Sequence, residues 1–335
     1  MDGGFQAGSF ALQTQRMAQH GCNSKSGAKG FRHIRIIRGK PGRINADRIA
    51  NAPIVLQPGQ GEEAGRSILT RRSVRTYDGR AVEPEKLERV KAFAREAENP
   101  FGIPVTFVFL DAKEQGLSSP VLTGEPLYVA GKVPKAPYGE VAFGFSMEKL
   151  LLYAWSLGLG SVWIGGTMKR EAFEGAAAKG ESERMPCVSP LGYPAAKRSL
   201  RETVMRRGCK ADSRLDGKKL FFDGTFDTPL AGKALEPWGD VLELVRWAPS
   251  AVNRQPWRLV LRDGWFHFCL RHDKGYLGEA VGDMQKIDLG IALCHFVLGA
   301  EEQGLTCRVE IRDPGIPLPP ETEYIASAAL TKKAE

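Results

Sequence analysis

The stretch Ala248-Pro249-Ser250-Ala251-Val252-Asn253-Arg254-Gln255-Pro256-Trp257 joins an apolar run to an alternating one. Before it, Leu242, Val245 and Trp247 mark one face of a helix that Pro249 ends, because a proline pushes its predecessor out of helical geometry. After it, Leu259 and Leu261 alternate with Arg258 and Arg262, the period of a strand. Between them Ser250, Asn253 and Gln255 set three polar side chains along an irregular turn bracketed by prolines. Such a turn can present amides to the donor and acceptor edge of a planar ligand. It equally suits a plain polar loop in which Ser and Asn cap element ends.

Composition narrows the classes. A chain of 335 residues, 42% hydrophobic, buries one large core or two smaller ones. Six cysteines stand at 22, 187, 209, 269, 294 and 307 without a close pair, which argues against a zinc site and a secreted disulfide scaffold. Cys269 and Cys294 sit in apolar runs and read as core filler. Charges interrupt every apolar run too early for a membrane span. The five histidines form no triad or metal-binding spacing, so no metal is expected.

The net charge of +8 is concentrated in residues 1–66, where ten Lys/Arg face four Asp/Glu. This Gly-rich head lacks periodicity and reads as a basic, disordered extension: a targeting segment, a nucleic-acid tail or inert sequence. It has no continuous apolar stretch of the secretory kind, and its glycines oppose an amphipathic presequence helix. Lacking interleaved aromatics, it gives no case for nucleic-acid binding. A cytoplasmic protein without membrane or nucleic-acid partners is expected.

The body divides into a first half, 67–204, a connector, 205–228, and a second half, 229–335. The first half opens on Arg71-Arg72-Ser73-Val74-Arg75, a candidate phosphate-binding corner or a solvated basic turn. A helix over 84–98 with Pro84 in its first turn precedes a strand over 105–110. Residues 111–144 read as loop-rich, with a short strand near Leu127-Tyr128-Val129 and a surface or lid segment from Lys132 to Tyr138. A helix over 145–157, apolar almost all round, ends in Gly158-Leu159-Gly160, and a strand over 161–164 runs into Gly165-Gly166. Adjacent glycines there allow backbone to approach a flat ligand, or simply make a tight turn. In the second half the expectations are a helix over 238–247, strands over 257–263 and 265–270, a long helix over 282–303 and a strand over 306–311, with Pro-rich 314–320 and a short run over 324–330 closing the chain. The two halves repeat one order of helix, Asn-containing turn, strand, long apolar helix, Gly-Leu and strand, which points to an internal duplication.

These motifs together resemble the nitroreductase superfamily of FMN-dependent oxidoreductases, in its single-chain, internally duplicated form. The matching segments are Arg71 to Arg75, Gly158 to Gly166, Leu191-Gly192-Tyr193-Pro194 with a following arginine, and Ala248 to Trp257. The resemblance implies an α+β fold: two homologous halves form a pseudo-dimer with central antiparallel sheets and long core helices. It implies that Arg71, Arg72, Ser73 and Arg75 hold the phosphate and ribityl end of FMN, with Arg198 or Arg201 completing the anion site. Gly165 and Gly166 would lie beside flavin N5, and Arg72 would stabilise the reduced anion. Pro249, Ser250 and Asn253 would reach the flavin from the second half. Gln255 would either touch it or support the turn, with Trp257 as packing. Tyr128, Tyr138 and Trp163 would line the open face or serve as ordinary core aromatics.

Each half departs from the family pattern once. The second half lacks the arginine–serine opening, reading Phe226-Asp227-Thr228-Pro229-Leu230, and the first has Glu98-Asn99-Pro100-Phe101-Gly102 in place of the Pro-Ser-Asn turn. Both losses fall on one of the two sites, so the expectation is one FMN per chain and a monomer that mimics a dimer. The implied activity is hydride transfer from NAD(P)H through flavin to a small nitroaromatic or quinone acceptor in a ping-pong cycle, with no side chain required as general acid. The alternative is a flavin-binding sensor, storage or regulatory protein with little turnover.

Overall fold

The computed structural model describes residues 60–332, with side chains from Ala64 onward. The chain begins there with α1 (Gln60–Thr70), which lies against the two long helices through Ala64 and Ile68. Six residues assigned by composition to the extension, Gln60–Gly65, and Arg66 after them are thus helical; the rest of that extension lies outside the described residues. Helix α2 (Pro84–Glu96) buries Val90 and Ala94, and its Phe93 stacks on Tyr153 at 4.1 Å. Strands β1 (Thr106–Asp111) and β2 (Leu127–Pro134) then pair antiparallel.

Two expectations fail in this region. The segment Lys132–Tyr138 is no surface lid at its start: β2 is buried from Leu127 to Val133, and Lys132 donates to the Ala178 carbonyl at 3.0 Å beside Glu183 at 3.3 Å. The next helix, α3 (Gly139–Ser156), starts six residues earlier than its apolar pattern suggested. Tyr138, in the left-handed region at φ 62°, turns the chain directly into it, and the glycines that read as loop serve packing instead.

After α3 the chain over 161–164 makes only isolated bridges, Ser73 with Ser161 and Ile164 with Val188, because the Val162 N–H turns to the Ser189 hydroxyl at 3.2 Å. Helix α4 (Arg170–Ala176), strands β3 (Glu183–Arg184) and β4 (Val188–Leu191), and helix α5 (Leu200–Gly208) complete the first half. β2 is the centre of its sheet, paired antiparallel with β1, β3 and β4.

The second sheet is led by β5 (Phe221–Asp223), drawn from the expected connector because Leu220 and Phe221 are buried. Helix α6 (Gly239–Arg246) buries Val241, Leu242, Leu244 and Val245. Strands β6 (Trp257–Arg262) and β7 (Trp265–Arg271) form the expected hairpin, and β8 (Leu277–Gly278) with β9 (Gly282–Asp283) a small one. Helix α7 (Met284–Glu302) follows, capped by Asp283 on the N–H groups of Gln285 and Lys286. Strands β10 (Leu305–Glu310) and β11 (Thr322–Lys332) complete the order β10-β11-β7-β6-β5, antiparallel except at the parallel β5–β6 edge. Among the described residues no helix is long and apolar enough to cross a membrane.

The core is the crossing of α3 and α7, each buried nearly all round. At Gly144 a Cβ would stand 2.1 Å from the Ile287 carbonyl oxygen, and at Gly290 it would stand 2.1 Å from that of Val141. The two contacts are reciprocal, with the same sequence offset linking 141 to 287 and 144 to 290. Backbone meets backbone here, so neither position accepts a side chain. Gly290→Ala is therefore expected to destabilise the protein by about 1–3 kcal/mol through overpacking, read as a lower midpoint in urea unfolding.

Candidate functional site

A cavity of about 140 Å³ lies between the two halves at the N-terminal part of α7. Ser73, Arg75, Trp163 and Gly165 reach it from the first half, and Pro249, Ser250 and Asp288 from the second. Residues that the sequence assigned to one cofactor site thus meet there across more than 170 positions.

The turn that opens the sequence reading is pinned from both sides. Ala251 N–H donates to both carboxyl oxygens of Asp288, at 3.0 and 3.1 Å. The Ser250 hydroxyl accepts from Gln255 N–H at 2.9 Å. Val252, Asn253 and Gln255 all have positive φ (50°, 58° and 52°). For a β-branched residue such as Val252 this is strained backbone, held by the bonds around it.

Asn253 and Gln255 face the connector, and neither lines the cavity. Asn253 Nδ2 donates to the carbonyls of Lys210 and Ser213 at 2.9 and 3.0 Å, and Gln255 Oε1 accepts from Leu215 N–H at 2.9 Å. Gln255 therefore supports the turn. Trp257 is fully buried packing.

The arginine motif divides its members. Arg75 lines the cavity; burial lowers its pKa, with Cys209 and Glu202 opposing. Arg71 points inward, its Nε 3.4 Å from Glu148 Oε1. Glu148, fully buried on α3, also accepts from Trp163 Nε1 at 2.9 Å and faces His295 Nε2 at 3.2 Å, while His295 Nδ1 donates to the Leu244 carbonyl at 2.9 Å. Burial opposes ionisation of Glu148, yet Arg71, His295 and Trp163 together hold its pKa below the usual value. Arg72 pairs with Glu202 at 3.4 Å, and Arg198 Nε lies 3.8 Å from the same carboxylate. Burial, then Arg198, lowers the Arg72 pKa. Arg201 turns to the Pro120 carbonyl.

The two glycines also differ. A Cβ on Gly165 would come within 3.2 Å of both Cys187 Sγ and Met284 Cε, and its carbonyl accepts from Arg170 at 2.7 Å. Gly166 is exposed with open space around it. Of the aromatics, Trp163 lines the cavity. Tyr128 is core, donating to Glu125 at 2.7 Å and set edge-on to Phe173. Tyr138 stacks on buried Phe101 at 5.6 Å.

The reciprocal helix crossing, with its offset of 146 residues, aligns Tyr138 with Met284 and Ala142 with Asp288. Near Tyr138, Asn99 is committed to the Ile103 carbonyl at 2.7 Å and the Ser146 hydroxyl at 3.1 Å.

Arg71 and Arg75 each keep one buried guanidinium nitrogen, NH1 and Nε respectively, that finds no hydrogen-bond partner among the described residues. The donor on Arg75, which lines the cavity, suits an anionic group there. Among the residues that escaped the sequence reading are Asp288, Glu148, Glu202 and Arg170. Asp288 had a signal, a single acid inside the apolar run of α7, as Glu148 had in α3; Glu202 and Arg170 had none.

The family model described as "Putative TM nitroreductase" matches residues 64–300. A solved structure from Thermotoga maritima MSB8, itself described as a "putative nitroreductase", is 19% identical, covering 83% of this chain and 98% of its own with a TM-score of 0.49. An "FMN-dependent Nitroreductase" from Clostridium difficile R20291 is 21% identical over 41% of this chain and 92% of its own, with a TM-score of 0.35. A nitroreductase family protein from Clostridium difficile 630 is 18% identical over 43% and 91%, with a TM-score of 0.34. No curated protein matches the chain.

Burial raises the Asp288 pKa well above its ordinary 3.8; the Ala251 N–H opposes the rise and Asp283 adds to it. The folded protein therefore holds this proton more tightly than the unfolded chain. The stability it contributes is complete below the ordinary value and is lost as pH rises through the folded one. Asp288→Asn keeps an oxygen for Ala251 and removes the ionisation. Its unfolding free energy should gain on the wild type by about 1.4 kcal/mol per pH unit across that window, in denaturant titrations run at several pH values.

Proposed function

We propose a function from the premise that this chain belongs to the nitroreductase family, as its match over residues 64–300 establishes. The chain is accordingly an oxidoreductase. In our reading it is a flavoprotein that binds one FMN in the cavity between its halves. One observation carries this: Ser73, Arg75 and Gly165 meet Pro249 and Ser250 in a single cavity beside buried guanidinium nitrogens that have no acceptor. When bound, FMN would supply hydride transfer at N5 from NADPH or NADH to a nitroaromatic or quinone acceptor, in a ping-pong cycle.

Each residue has a task in this reading. Arg75 Nε and Arg71 NH1 hold the phosphate and ribityl end, where charge-assisted bonds are strongest. Arg72 and Arg198 add charge to the same end beside Glu202. Gly165, with Cys187 and Met284 close behind, leaves a flat ring an approach that no side chain interrupts. Burial pushes the Cys187 thiol up to about 12, so it is an uncharged surface and not a nucleophile. Asp288 fixes Pro249 and Ser250 through Ala251, and burial disfavours its charged form beside the cavity. Val162, Ile287 and Ile291 exclude water. The Phe101–Tyr138 stack and the committed Asn99 side chain support one flavin per chain, and in this reading the single chain supplies both faces of the site without a second copy.

A visible spectrum of the purified protein, followed by anaerobic addition of NADPH and then NADH, tests this. A flavin spectrum bleached by nicotinamide and restored by a quinone or nitroaromatic is expected, with one FMN released per chain on denaturation. A colourless protein that takes up no added FMN would sink the reading. Flavin that neither nicotinamide bleaches would favour a non-catalytic flavoprotein. Arg75→Ala should weaken FMN retention roughly tenfold to a hundredfold in an equilibrium titration, the scale of a hydrogen bond to a charged group.

A further inference from the structure

The arginine corner already contains a carboxylate. Glu202, in the first turn of α5, is 1% exposed. It accepts from the Arg75 N–H at 3.2 Å and the Thr76 hydroxyl at 2.9 Å, and it pairs with Arg72 at 3.4 Å and Arg198 at 3.8 Å. A backbone N–H, a hydroxyl and two guanidiniums are the donors that a phosphate group would require. Arg75 belongs to this cluster through its backbone and to the cavity through its side chain.

Helix α5 is held in an unusual way. Glu202 is its only fully buried residue, and two of its three apolar side chains, Leu200 and Val204, are 87% and 69% exposed. Its other ties to the body include polar ones: Ser199 exchanges hydrogen bonds with Thr76 at 3.1 Å, and Arg201 reaches the Pro120 carbonyl. Only the half-buried Met205 would lose apolar burial on lifting it. The cavity that the Arg75 side chain lines is about 140 Å³, below the roughly 300–1,000 Å³ of small-molecule sites.

We propose that Glu202 is a resident competitor for the cofactor's phosphate, so that loading a phosphorylated flavin requires the carboxylate to withdraw together with α5. This rests on the reading of the cavity as a flavin site. Glu202 then sets the discrimination between phosphorylated and unphosphorylated flavin, because only the phosphate contends for its donors. The apparent affinity for FMN is reduced by the fraction of chains in which the corner is closed.

The test is a fluorescence titration of the full chain, freed of flavin, with FMN and with riboflavin, in wild type, Glu202→Ala and Glu202→Gln. Hydrogen exchange over residues 199–208 of the wild type accompanies it. Glu202→Ala should bind FMN at least tenfold more tightly with riboflavin affinity little changed, and Glu202→Gln should lie between. In the wild type, FMN should speed exchange over 199–208 and riboflavin should not, a result that stands even if a variant fails to fold. Weaker or unchanged FMN binding in both variants, or slowed exchange on FMN addition, would show that Glu202 orders the arginines and does not compete; the flavin reading would survive. Binding of neither flavin by any of the three proteins would overturn that reading and this inference together.

Discussion

The contact of α3 and α7 at Gly144 and Gly290 is the constraint on which the other features depend. Two helices that touch backbone to backbone have one separation available to them. That separation brings Glu148 of α3 within reach of His295 of α7, with Arg71 on the same carboxylate. It also fixes the first turns of α7 beneath the 249–253 turn, where Asp288 meets Ala251. A methyl group at either glycine would push on the floor of the cavity as well as on the core.

Buried carboxyl groups show how the fold manages charge around this site. Glu148 has an arginine, a histidine and an indole N–H around it, which outweigh its complete burial. Asp288 has one backbone N–H and a neighbouring acid, and burial wins. In the first the charged form is favoured and anchors the arginine motif; in the second burial favours the protonated form, and the carboxyl anchors the turn. Glu202 is the third, gathering a hydroxyl, a backbone N–H and two guanidiniums on a helix that little else retains.

The surroundings of the α3–α7 crossing are built in two ways. One region holds a cavity between an arginine corner from the first half and a Pro-Ser turn from the second. Near the start of α3, Phe101 and Tyr138 stack and Asn99 bonds back to its own loop. The first carries a strained turn and buried donors without partners among the described residues, the second aromatic packing, the usual distribution between a functional and a structural region.

Much of this was legible in the chain itself. Apolar runs at helical spacing located α2, α6 and α7, and alternation located the β6–β7 hairpin, because burial of one face leaves a period in the sequence. Motif resemblance brought Ser73, Arg75, Gly165, Pro249 and Ser250 to one site. The start of α3 was not legible, since a glycine needed for close helix crossing has the same letter as one that makes a loop. Nor were the inward turn of Arg71, the rotation of Asn253 and Gln255 toward the connector, or the arrival of Glu202 in the arginine corner. Local sequence determined which segments are helix or strand and which residue types carry charge, because those follow from neighbours along the chain. Only the tertiary structure decided which acid meets which arginine and which residues share the cavity, because those depend on partners far away along the chain.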